Sequence, residues 1–156
     1  MVADTVRKVD HSALRTNQAF IIALLLVAFV TDQWPLVAFV AAVMIVGTIW
    51  PGAALFQQVY RRILRPLKIV KPDILADNPE PHRFAQGLGG VFTLGSAAAL
   101  AAGMPVPGWA LAWLVIILAA LNLFLGFCAG CFVYYQLNRL GVPGFSIAPP
   151  ERERRV

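Results

Sequence analysis

Charge is what this chain has least of. Charged residues make up 13% of its 156 residues and hydrophobic residues 59%, against about 25% and 45–50% in soluble domains. A soluble domain of this composition would lack the polar surface to cover its core. No pair of carboxylates falls inside a long apolar run, which excludes a glycosidase-like or proton-relay dyad. Gly-x-Ser-x-Gly, a Walker loop and a dinucleotide fingerprint are all missing. The net charge of +5 does not point to nucleic acid, because the basic residues cluster at the ends of apolar segments without aromatic interleaving. A polar stretch of mixed charge precedes the first apolar run, and no small-residue cleavage site follows it, so that run is expected to stay as a span. Histidine is scarce too. His11 and His82 match no metal-ligand spacing with the cysteines, so no metal and no cofactor is expected.

What is present is hydrophobicity in blocks, the pattern of membrane spans. The sequence predicts an all-α membrane protein, a four-helix bundle forming one domain over 1–145, with spans at about 12–31, 34–50, 82–104 and 109–137. Ser12 is the expected N-cap of the first. Asp32-Gln33-Trp34-Pro35 and Pro105-Val106-Pro107-Gly108 read as tight turns, and Pro51-Gly52 as a kink or stop. Between the second and third spans, Leu55, Val59, Ile63 and Leu67 recur every fourth residue against Arg61, Arg62 and Arg65, as in a basic amphipathic helix lying in the interface. Lys68 to Pro81 is Pro-rich and reads as a loop. Gly95, Ala99 and Gly103 make a small-residue face for close helix approach. Residues 146–156 read as a flexible charged tail.

Orientation follows from the cations. All 13 Lys and Arg lie at the amino terminus (Arg7, Lys8, Arg15), in the middle segment from Arg61 to Arg83, or from Arg139 onward, and the two short turns carry none. The positive-inside rule places both termini and the middle loop in the cytoplasm. This is the topology of a multi-pass protein of a bacterial inner membrane.

The only cysteines, Cys128 and Cys131, share one face of the expected fourth span. Counting from Trp109 at the outer interface, Cys128 lies about 28 Å deep at about 1.5 Å per residue, near the cytoplasmic edge of a core about 30 Å thick. A dithiol is the expected resting form in that reducing compartment. Small apolar packing is the plainer reading of two cysteines. The Cys-x-x-Cys spacing and Gly130 between them favour redox or sulfur-handling chemistry. A continuous span puts the pair near a helix C-terminus, where the dipole opposes a thiolate, so nearby cations are needed. Arg83 and Arg15 are the leading candidates, with His82 and Arg139 behind them. Gln86, one turn after Arg83, is a candidate lining residue, with Asn17 and Gln18 at the same depth. Asn122 reads as interhelical glue.

Three segments together are distinctive: Val9-Asp10-His11 through Arg15-Thr16-Asn17-Gln18, then Pro81-His82-Arg83-Phe84-Ala85-Gln86, and Gly126-Phe127-Cys128-Ala129-Gly130-Cys131. In these the chain resembles a bacterial integral-membrane family, domain of unknown function 4395, over all but about the last dozen residues. The resemblance implies a small four-helix membrane protein associated with thiol or sulfur chemistry, and it implies no established activity.

Two functional readings stand. In one, Cys128 and Cys131 exchange electrons or sulfane sulfur with a cytosolic thioredoxin-like or rhodanese-like partner, with Cys131 as the attacking thiol. In the other, the chain is a structural subunit of a larger membrane complex or homo-oligomer. A solute transporter is a weaker third, because no charged site lies at mid-membrane. Both main readings share the topology. A membrane-impermeant maleimide should leave the reduced cysteines unlabelled in intact cells and label them in inverted vesicles. Labelling from outside would overturn the orientation.

Overall fold

The computed structural model describes residues 8–145, so Arg7 and the tail expected at 146–156 lie outside the described residues. The described residues are mainly helical. The helices are α1 (His11–Val30), α2 (Trp34–Ile49), α3 (Leu55–Val59), α4 (Pro79–Ala101), α5 (Pro105–Leu125) and α6 (Ala129–Arg139). Of these, α1, α4 and α5 are 20, 23 and 21 residues long and apolar enough to cross a membrane. The apolar helix α2 has only 16 residues, about 24 Å at 1.5 Å per residue.

Local chemistry sets the helix starts. Asp10, not Ser12, caps α1: its Oδ1 accepts the N–H groups of Ser12 and Ala13 at 3.0 and 3.4 Å. Ser12 instead donates its hydroxyl to the Lys71 carbonyl at 2.6 Å. The Pro-rich stretch before the expected third span is already helical, because α4 begins at Pro79. A first-turn proline loses no helical hydrogen bond. Pro35 opens α2 and Pro105 opens α5 in the same way.

The core lies where α1, α2, α4 and α5 meet. Ile21 and Leu25 of α1 face Val37, Val40 and Met44 of α2, closed by Ala97 of α4 and by Val115 and Ile116 of α5. Buried hydroxyls are tied to the backbone. Thr93 donates to Gly89 O and Ser96 to Gly108 O, both at 2.7 Å. At one end Phe29 packs edge-on against Trp109 and Trp113, with ring centroids 5.1 and 5.5 Å away, the setting of an interfacial aromatic belt.

The expected small-residue face is used in part, with Ala99 buried and a Cβ at Gly95 within contact of Leu111 of α5, and a further close approach lies one stretch earlier. Gly103 lies beyond the end of α4 and Gly95 is exposed. It is at Gly90 that α4 meets the Met44 and Ile45 positions of α2. The amphipathic segment also differs from a regular helix. A five-residue α3 runs into a π-helical turn, Tyr60–Leu64. Phe56 and Tyr60 are its buried residues, while Leu55, Ile63 and Leu67 are exposed. Phe56 stacks on Phe20 at 5.3 Å.

Two features were not foreseen. Lys8–Asp10 (β1) and Ile74–Ala76 (β2) form an antiparallel ribbon, pairing Lys8 with Ala76 and Asp10 with Ile74. It pins the middle loop to the start of α1. The fourth span, expected as one helix over 109–137, is broken. Gly126 adopts the left-handed conformation that ends α5 (φ 66°), which glycine takes without steric cost. Cys128 then caps a new helix, α6.

Gly130 lets α6 lie on α4, since a Cβ there would collide with Ala85. Gly130→Val should therefore destabilise the protein by about 1–3 kcal/mol, as overpacking does. A lowered thermal midpoint in detergent would report this. An unchanged midpoint would contradict the α4–α6 contact.

Candidate functional site

The helix break decides the chemistry of the cysteine pair. In an unbroken span both sulfurs would face a helix C-terminus. Here Cys128 is the N-cap of α6, and its Sγ accepts the Cys131 N–H at 3.2 Å. The N-terminal end of the helix dipole thus points at the sulfurs, an arrangement that favours negative charge there. The two sulfurs stand at disulfide distance, with Cα atoms 5.1 Å apart. Their order of exposure is the reverse of that expected from depth. Cys131 is buried, at 8% exposure, whereas Cys128 is half-buried.

Behind Cys131 stands a relay assembled from three segments. His82, in the first turn of α4, places Nδ1 3.5 Å from Cys131 Sγ. Its Nε2 lies 2.8 Å from Asp77 Oδ2. His11, the first residue of α1, brings Nε2 within 3.2 Å of the same oxygen, and the two imidazoles meet edge-on at 5.8 Å. The β1–β2 ribbon explains why Asp77 is there: it ends at Ala76 and delivers the next residue between the two histidines.

Burial pushes the Asp77 carboxyl up, but the nearby imidazoles of His11 and His82 and the hydrogen bond from the Asn78 N–H outweigh it and hold the group well below the usual carboxylate range. An anion fixed on Nε2 makes that nitrogen the donor in neutral His82. The Nδ1 lone pair is then turned toward Cys131.

The other residues expected at the site take varied positions. Gln86, Gln18 and Asn122 line a cavity of about 70 Å³ together with Cys128. It sets three amides from α4, α1 and α5 beside the disulfide, inside the bundle. Gln86 donates to Met44 O at 3.1 Å. Arg83 reaches Thr48 O at 2.8 Å, a carbonyl in the last turn of α2 without a helical partner, whereas Met44 O lies inside the helix and also accepts the Thr48 hydroxyl at 2.8 Å. Arg15 is exposed on α1, and Arg139 is exposed at the end of α6.

Sequence reading gave His82 and His11 little weight and missed Asp77. The separation of 49 residues between His82 and Cys131 hid the contact, as no local motif spans it. The Pro-His-Arg-Phe segment was the available signal, read for its arginine instead of its histidine.

The described residues form a helical membrane protein with a Cys-x-x-Cys disulfide at a helix N-terminus, backed by a His–Asp relay. The chain belongs to the family described as domain of unknown function 4395, whose model matches residues 9–139. Comparison with curated proteins and with solved structures gives no match.

Removing the carboxylate tests the relay. Asp77→Ala should cost about 2–3 kcal/mol, the range for hydrogen bonds to a charged group left unmade. Thermal unfolding in detergent measures it. An unchanged midpoint would mean that the carboxylate is not bonded as described.

Proposed function

We propose that this protein is a membrane-embedded thiol–disulfide exchange protein whose redox pair faces the cytoplasm. The observation that carries this reading is His82 Nδ1 beside Cys131 Sγ, with Cys128 half-buried at the cap of α6. The four apolar helices α1, α2, α4 and α5 are read as four crossings. The distribution of Lys and Arg puts the end bearing Asp77, His82 and the cysteines inside the cell.

The exchange runs as two displacements. A thiolate of a partner dithiol attacks Cys128 Sγ, forming a mixed disulfide as the Cys128–Cys131 bond breaks. Cys131 leaves as a thiolate and takes a proton delivered through His82. The partner's second thiolate then attacks its own sulfur in the mixed disulfide and releases Cys128 as a thiolate. The partner leaves oxidised, and two electrons have reduced the pair. The reverse sequence oxidises it again, with His82 Nδ1 accepting the Cys131 proton. Cys128 is thus the attacking and attacked sulfur, the opposite of the order expected from depth alone. A thioredoxin-like or rhodanese-like protein of the cytosol has the matching chemistry.

In this reading Gln86 lines the cavity behind the disulfide. Arg83 holds the end of α2 against α4, and Arg15 adds positive potential at the membrane surface. A packing role in a larger assembly is favoured by the apolar collar at the break, where Phe124, Leu125, Phe127 and Phe132 are exposed. Exchange and assembly are compatible.

Reduced protein treated with limiting iodoacetamide should be alkylated at Cys128 at least roughly tenfold faster than at Cys131, following exposure and stabilisation of the anion. With purified thioredoxin as probe, Cys131→Ser should accumulate a mixed disulfide through Cys128, and Cys128→Ser should not. Equal alkylation rates, or trapping only through Cys131, would overturn the proposal.

A further inference from the structure

The pair and its histidine form more than a redox couple. We infer that, once the disulfide is reduced, Cys128 Sγ, Cys131 Sγ and His82 Nδ1 bind a thiophilic d10 cation, Cu(I) foremost, with Asp77 holding the imidazole from behind. The three donor atoms lie within 4.8 Å of one another. A trigonal ion with metal–sulfur bonds of about 2.3 Å and a metal–nitrogen bond of about 2.0–2.1 Å needs sulfurs about 4.0 Å apart and nitrogen about 3.8 Å from each. The Nδ1–Cys131 distance is 3.5 Å, within a few tenths of that. Opening the disulfide lets the sulfurs part, with their α-carbons 5.1 Å apart.

The donor set selects the ion. Two thiolates and one imidazole are soft, which favours Cu(I) or zinc over the oxygen-seeking cations. Zinc prefers four ligands. Among the described residues no fourth cysteine, histidine or carboxylate joins this cluster. Asp77 instead accepts the Nε2–H of His82 at 2.8 Å, the outer-shell bond that fixes the tautomer of a metal-ligating histidine. The ion displaces the two thiol protons and transfers no electrons. The two electrons that open the disulfide come from a thiol or phosphine reductant. The N-terminus of α6 offsets the remaining negative charge of the complex.

Metal binding and disulfide exchange are therefore alternative states of the same sulfurs, and the ion would hold the reduced pair out of exchange. This inference needs only that the pair be reducible; it needs no protein partner. Sequence spacing hides the site, since the histidine comes from another helix.

The test uses the full chain in detergent, reduced with a phosphine and titrated with Cu(I) against bicinchoninate. Alkylation first counts the free thiols. Reduced protein should take one Cu(I), and the oxidised protein none. His82→Ala should weaken binding at least tenfold, and Asp77→Asn about ten- to a hundredfold, the range for lost outer-shell partners. X-ray absorption should show two sulfurs and one nitrogen around copper. The oxidised wild type is the metal-free control if a cysteine variant fails to fold. Absence of Cu(I) binding by the reduced protein, wild-type affinity in His82→Ala, or uptake of Zn(II) in preference to Cu(I) would overturn the inference. A pair that no reductant opens defeats the exchange reading, whereas an open pair without copper defeats only this one.

Discussion

A helix that ends leaves backbone groups without helical partners, and the site depends on how this chain meets that constraint. Lipid offers no partner for a free N–H or C=O. The last apolar helix stops at Leu125, and the chain resumes as a helix at Ala129. Three residues make the transition. Gly126 turns in the left-handed region and bonds back to Asn122 O at 3.1 Å. The sulfur of Cys128 then accepts one of the free amides in the first turn of the next helix, that of Cys131. The break is an architectural solution that also turns a helix N-terminus toward the sulfurs.

That solution places demands on its neighbours. A helix starting here must leave the bundle along α4, and Gly130 against Ala85 permits it. The first turn of α4 must carry something useful opposite Cys131, and His82 is there. The histidine needs its outer nitrogen fixed. Asp77 does this, delivered by a ribbon that ties the amino-terminal strand to the middle loop. The aromatic belt of Phe29, Trp109 and Trp113 lies at the opposite end of the same helices, so the two ends of the bundle are chemically distinct.

Much of the fold was legible because apolar blocks and proline-bearing turns are local signals. The positions of α1, α2, α4 and α5 follow from hydropathy, with Pro35 marking a start, whereas Pro105–Gly108, expected as a turn, is already the first turn of α5. The break in the last span was not legible, because Phe127, Cys128, Ala129 and Cys131 are as apolar as the residues of a continuous helix. A glycine at 126 is common in membrane helices. The ribbon was hidden for another reason: two three-residue strands carry too little periodicity to read. Without the ribbon, nothing placed Asp77 between His11 and His82. The thiols were found from spacing and depth; of their polar partners His82 was named only as a lesser cation and Asp77 was missed, since these come from segments far apart in sequence.

The central claim is that His82 responds to the redox state of Cys131. Nitrogen-15 spectra of histidine-labelled protein, recorded oxidised and then reduced, test it most directly. Reduction supplies an S–H donor to the lone pair at Nδ1, so the Nδ1 resonance of His82 should move while those of His11 stay close to their oxidised positions. Spectra in which His82 keeps its Nδ1 resonance through full reduction of the disulfide would contradict the account.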